Sequence, residues 1–183
     1  MKIPVVGFDP SLTHWGIAAG QLDLTTGYLD DLKLTLIEPD RLKGKQVRQN
    51  SKDLHEAEQL AKAAIASARA AKVVFVEVPV GSQSARAMAS YGVSVGILGA
   101  ILAESVPLIE VSPTELKLGF TGCKNATKQQ MIDRAVSLYP EANFPKHGGR
   151  IVAKAEHVAD AIAAIHAGVN TPLFQNILRL YQP

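Results

Sequence analysis

The chain has 183 residues, 47% hydrophobic and 20% charged, and nineteen Lys and Arg against seventeen Asp and Glu leave a formal charge of +2. This balance excludes a disordered or collagen-like chain and predicts one compact domain over residues 1–183. The single cysteine, Cys123, excludes an intrachain disulfide and predicts a reducing, cytoplasmic compartment.

Three strand-like runs come first, Lys2 to Phe8, Trp15 to Gln21 and Leu29 to Ile37; in the last, Leu32, Leu34 and Leu36 alternate with Lys33 and Thr35, the period of a half-buried strand. Asp9-Pro10-Ser11 and Thr25-Thr26-Gly27 supply turn chemistry, so the three runs predict an antiparallel meander. Glu38 to Ser51 is polar and carries Arg41, Lys43, Lys45 and Arg48, which predicts an exposed basic connection. Ser51 is placed to cap a helix to about Ala71, and Val73 to Val78 is a β-branched run of the kind found in central strands. Ser84 to Glu104 is helical by length and composition. Its most apolar part, Tyr91 to Ala103, falls short of the roughly 20 residues that cross a bilayer, so it reads as a buried helix with no membrane role. The N-terminal MKIPVVGFD has no signal-type apolar core. Leu108 to Val111 makes a fifth strand. Ser112-Pro113-Thr114-Glu115 opens a helix with cap, proline and capping-box acid in register, and Thr127 caps another to about Leu138. A loop from Tyr139 to Ala153 precedes an amphipathic helix from Ala155 to Ala167 and a short one after Pro172. A three-strand meander followed by two strands alternating with helices predicts an α/β fold, a mixed five-stranded sheet with helices on both faces. That is the plan of an RNase H-like domain.

Three places carry candidate chemistry. Asp9 ends an apolar strand directly before a Pro-Ser turn; alone, it reads equally as turn capping. Glu77 interrupts Val73-Val74-Phe75-Val76-Glu77-Val78, where a buried carboxylate costs several kcal/mol unless it is paired or bound to a metal. Asp160 shares a helical face with His157 and Glu156, three and four residues away. Carboxylates from two strands and one helix are the hard ligands that divalent-metal phosphodiester cleavage requires. Helical spacing does not choose between Glu156 and His157 as the fourth ligand.

These residues resemble the RuvC-type Holliday-junction resolvases, especially their phage-borne relatives, over most of the chain. Val6-Gly7-Phe8-Asp9-Pro10-Ser11 followed by Gly16 is similar to the family's opening strand and turn, with Asp9 as the first catalytic aspartate. Val74-Phe75-Val76-Glu77 is similar to the strand presenting the catalytic glutamate, and His157-Val158-Ala159-Asp160-Ala161-Ile162 to the closing motif. The resemblance implies Mg²⁺, with Mn²⁺ as a substitute, held by Asp9, Glu77, His157 and Asp160. Glu156 is the runner-up ligand, favoured by the preference of hard cations for oxygen. It also implies active-site roles for Lys117 and Lys128. The stretch Val78-Pro79-Val80-Gly81 departs from relatives that carry a base-stacking aromatic there.

From Lys117 to Lys154 seven basic residues face two acids in a chain of only +2, an asymmetry that predicts a phosphate-binding face. The sequence therefore reads as a metal-dependent endodeoxyribonuclease cutting branched DNA, with four-way junctions foremost. Two strands must be cut, which predicts a homodimer. The rival readings are a broader nuclease on forks and flaps, a catalytically silent DNA-binding module, and a nucleotide-binding domain of the actin and sugar-kinase type.

Overall fold

Residue-by-residue alternation in the strands decides which side chains meet which layer. In the computed structural model, which describes residues 1–44 and 46–181, β1 (Lys2–Asp9), β2 (Trp15–Asp23) and β3 (Leu29–Ile37) form the antiparallel meander. Two strands, β4 (Val73–Glu77) and β5 (Leu108–Val111), add in parallel beyond β1, giving the order β3-β2-β1-β4-β5. Val6, Phe8, Trp15, Ile17, Val74 and Val76 point into one core, closed by α1 (Gln49–Arg69) and α2 (Ala85–Ala103). Ile3, Val5, Ala18, Leu22, Val73 and Phe75 point into the other. That second core is closed by α3 (Pro113–Thr121), α4 (Lys128–Leu138) and α5 (Ala155–Gly168), while α6 (Pro172–Tyr181) sets Phe174 against Phe75 with ring centroids 5.2 Å apart. The expected mixed sheet covered on both faces is what forms.

The caps show how local the helix signals are. Ser112 and Glu115 make the expected capping box, and Thr127 caps α4 with Gln130 as its reciprocal partner. Ser51 does not cap α1. The helix starts three residues earlier than that cap would place it, with Arg48 at the N-cap making no side-chain bond, and the Arg48 carbonyl accepts from the Ser51 and Lys52 amides. Ion pairs Asp53–Arg86 and Arg69–Glu104 join the N-terminal and C-terminal ends of α1 and α2, so the two helices run in the same direction.

Two other expectations need correction. The helix over Ser84 to Glu104 is not buried: only Ser94, Ile97, Leu98 and Ile101 are covered, while Met88, Val95 and Leu102 are exposed. Neighbours occupy one stripe of an apolar helix and nothing among the described residues covers the rest. By length and composition alone α2 is apolar enough to cross a membrane. The loop from Tyr139 to Ala153 contains a two-stranded hairpin, β6 (Lys146–His147) with β7 (Arg150–Ile151). Its Gly148-Gly149 turn has positive φ at both residues, 55° and 78°, the backbone of a tight hairpin turn that glycine adopts without strain. Of the basic connection, Lys45 lies outside the described residues, and Arg41 stands 3.7 Å from the buried Glu56.

A half-buried histidine ties α5 to the meander and makes stability depend on pH. His166 Nε2 lies 2.7 Å from the Tyr139 hydroxyl, which also accepts from the Leu29 amide. Burial, helped by Arg134, pulls His166 down to about 4, and burial pushes Tyr139 up to about 12. A base with a depressed folded pKa contributes stability fully above its unfolded value of 6.5 and loses it as pH falls through about 4. The shift corresponds to about 3 kcal/mol. The difference in urea midpoint between His166→Gln and the parent chain should therefore shift in the variant's favour as pH is lowered from 7 to 4.

Candidate active site

Strand register brings the first two carboxylates together. Phe8 pairs with Val76 across the parallel β1–β4 ladder, so Asp9 and Glu77 stand one step further on at neighbouring strand ends. Period two puts Asp9 with Ile3 and Val5, and Glu77 with Val73 and Phe75, on the α5 side of the sheet. The third carboxylate arrives because α5 lies almost on the backbone of β1 and β2. A Cβ built on Gly7 would stand 2.0 Å from the Ala161 carbonyl oxygen, and one on Gly16 would stand 2.0 Å from that of His157. Two glycines thus let the helix down onto the strand ends, and His157 and Asp160 come with it.

His157 Nδ1 meets Asp9 Oδ2 at 2.6 Å. Burial works against protonation of this ring, but the hydrogen bond and charge of Asp9, reinforced by Glu156 and Asp160, raise its pKa above 6.5. Asp160 is pushed up to about 8, first by burial and then by the charges of Asp9, Glu77 and Glu156. Burial followed by the charge of Asp9 pushes Glu77 up to about 7, against the pull of Lys117. Asp9 therefore opposes ionisation of both Glu77 and Asp160, and Glu77 opposes that of Asp160.

The remaining candidates surround them. Glu156 Oε2 holds the Lys128 ammonium at 2.7 Å, and its other oxygen lies 3.7 Å from His157 Nε2. Glu156 thus bridges Lys128 and the histidine. Lys117, on α3, is close enough to Glu77 to stabilise its charge. Sequence reasoning missed His14, whose ring stacks on His157 with centroids 5.1 Å apart and planes 4° from parallel. It also missed Glu38, which pairs with both His14 and Lys154. A histidine five residues beyond Asp9 in the same turn was the available signal.

The donor chemistry fits a hard divalent cation, since crowded oxygen donors that resist ionisation have the excess negative potential a cation relieves. Among the described residues no three His, Cys, Asp or Glu side chains already converge at ligand spacing.

The sheet order, with helices on both faces and acids at the ends of β1 and β4 and on α5, defines the RNase H-like fold. Among solved structures, RuvC of Thermus thermophilus in complex with a Holliday-junction substrate is similar with 16% identity and a TM-score of 0.63, covering 90% of this chain and 92% of that one. Another structure of Thermus thermophilus RuvC shows 19% identity and a TM-score of 0.57 over the same shares. No family model and no curated protein matches the sequence.

Proposed function

We propose that this chain is a single-domain, metal-dependent endodeoxyribonuclease that cuts branched DNA, with the four-way junction as its principal substrate. The observation that carries the reading is the coupling of Asp9, Glu77 and Asp160, two of them with strongly raised pKa values, at one end of an RNase H-like sheet. Likeness in fold to a RuvC bound to a Holliday junction supports the substrate class. Asp9, Glu77 and Asp160 would hold the cation, with His157 as the fourth ligand. Bound Mg²⁺ or Mn²⁺ supplies an activated water and stabilises charge on the leaving oxygen. The chain's own residues do the rest. Asp9 orients His157 through Nδ1, leaving Nε2 on the side of Glu156, and Glu156 stays in a supporting position because Lys128 occupies one of its oxygens. A reduced Cys123 that is exposed and free accords with action in the cytoplasm of a bacterial or phage-infected cell.

Synthetic four-way junctions and linear duplex of the same sequence, incubated with and without Mg²⁺, test the proposal. Metal-dependent cuts near the branch are expected, and equal cutting of both substrates would favour the broader nuclease. Absence of cutting from either would leave the silent DNA-binding module.

Lys117 and Lys128 should act on the scissile phosphate. The Lys128–Glu156 pair has its lysine 79% exposed, and such surface pairs are worth only about 0.2–1 kcal/mol, so a phosphate competes for the ammonium. A cation placed where charge develops lowers the barrier as well as binding the ground state. Alanine at either position is expected to slow single-turnover cleavage at saturating enzyme by roughly tenfold or more, with the urea midpoint unchanged. A defect in affinity alone would make them ordinary phosphate contacts.

Resolving a junction takes two cuts, and a homodimer supplies two sites. The outer face of α2 offers the surface: Met88, Val95 and Leu102 are exposed, and a Cβ on Gly92, Gly96 or Gly99 would meet nothing within 4 Å. Small residues let a second copy of the helix approach closely. Sedimentation should show a dimer that Val95→Glu with Leu102→Glu converts to monomers, leaving the urea midpoint near that of the parent; a monomeric parent chain would overturn the assembly.

A further inference from the structure

We propose that His14 is a positioning residue which sets the plane of the His157 imidazole on Asp9. The inference rests on the nuclease reading for its catalytic meaning and on the contacts of His14 and His157 for its geometry. The last torsion of a histidine joins an sp³ to an sp² carbon and has a broad, roughly two-fold profile. The hydrogen bond from His157 Nδ1 to Asp9 Oδ2, 2.6 Å long, anchors one point of the ring. A second constraint is needed to fix its plane. His14 supplies it, lying parallel to His157 within 4° at 5.1 Å between centroids, the separation of an offset stack.

The stacking plate is itself held at both ring nitrogens. Thr13 Oγ1 lies 3.0 Å from His14 Nδ1, and Glu38 Oε1 lies 3.4 Å from Nε2. Glu38 also takes the Lys154 ammonium, three residues before His157 at the N-cap of α5. Contacts in the plane of a ring resist its rotation and leave its face free to stack. The β1–β2 turn, the chain just after β3 and the start of α5 therefore meet on one plate, and that plate presses on the histidine that touches Asp9. None of these contacts joins His14 to Asp9, Glu77 or Asp160, which makes its role one of position.

The test compares His14→Ala, which removes the plate, with His14→Phe, which keeps a ring and loses the polar edges. In the DNA-free protein, the His157 ring proton shared with Asp9 should give a slowly exchanging resonance. It should vanish in His14→Ala and return in His14→Phe. In single-turnover cleavage of a four-way junction, His14→Ala should lower the rate by about 10- to 100-fold, the cost of a small misplacement. Its affinity for the junction should stay within about twofold, and His14→Phe should regain most of the rate. Combined with His157→Ala, His14→Ala should add no further loss. A resonance unchanged in His14→Ala, or losses that multiply in the double variant, would overturn the assignment. Should the parent chain cut no DNA at all, the nuclease reading falls, while the resonance experiment still decides whether His14 positions His157.

Discussion

Asp160→Asn is expected to abolish Mg²⁺-dependent cleavage and, in metal-free buffer, to make the protein more stable. The first result follows from removing a carboxylate proposed to hold the cation, and the second from its surroundings, since Asp160 is pushed up to about 8 by burial and by Asp9, Glu77 and Glu156. An acid whose folded pKa is raised contributes stability below its unfolded value of 3.8 and loses it as pH rises through about 8. The metal-free chain should therefore weaken from acidic to alkaline pH wherever this group dominates, and asparagine, which cannot ionise, removes that slope. A cation that binds only the folded state works in the opposite direction, stabilising by mass action. Mg²⁺ should raise the melting temperature of the parent most at pH 8 and that of Asp160→Asn far less. For cleavage, the metal is asked to supply several kcal/mol at about 1.36 kcal/mol per tenfold, so the loss should be on the order of a thousandfold or more. Melting curves in EDTA and in Mg²⁺ at pH 6 and 8, beside single-turnover rates, check both halves. A variant as active as the parent would remove Asp160 from the site, and a variant less stable than the parent in EDTA at pH 8 would remove the repulsion.

The strands were legible because alternation is a short-range property. The run Leu32, Leu34, Leu36 carries its own period, and Ser112-Pro113-Thr114-Glu115 carries both a cap and its reciprocal acid within four residues. The two strand carboxylates were legible for the same reason, as acids in segments too apolar to leave them unexplained. Features decided between elements were not. Hydropathy marks α2 as apolar but does not say that neighbours cover only the stripe of Ser94, Ile97, Leu98 and Ile101. Two-residue strands such as Lys146–His147 are too short to show a period. The division of labour between Glu156 and His157 was undecidable from helical spacing, since both share the face of Asp160. What sets the two apart in the fold is partners far along the chain, Lys128 beside one and Asp9 beside the other. His14 escaped notice because its meaning lies in a stack on a residue 143 positions later.

Gly7→Ala is expected to cost substantial stability, and to silence the site without touching a functional side chain. The new Cβ would stand 2.0 Å from the Ala161 carbonyl oxygen, 2.9 Å from Ile165 Cγ1 and 3.0 Å from the Ala161 carbonyl carbon. Two of these three neighbours are backbone and have no rotamer to change, so β1 and α5 must separate. Overpacking a core costs typically 1–3 kcal/mol even where flexible side chains give way; here the loss should be about 3 kcal/mol or more. The direction of the displacement matters for function. Ala161 follows Asp160 directly and lies one helical turn beyond His157, so lifting α5 off β1 draws both residues away from Asp9 and Glu77. Gly16→Ala should act in the same way through the His157 carbonyl, 2.0 Å from its would-be Cβ. Relieving the burial and then the repulsion that raise Asp160 should bring its pKa down as the site opens, which in the folded fraction distinguishes separation of the elements from simple unfolding. Carboxyl titration by NMR, made on whatever fraction of Gly7→Ala remains folded at low temperature, reads that change. An Asp160 that titrates as in the parent, together with a urea midpoint lowered by less than about 1 kcal/mol equivalent, would show that the sheet tolerates the methyl group and that contact between helix and strand is not what assembles the carboxylates.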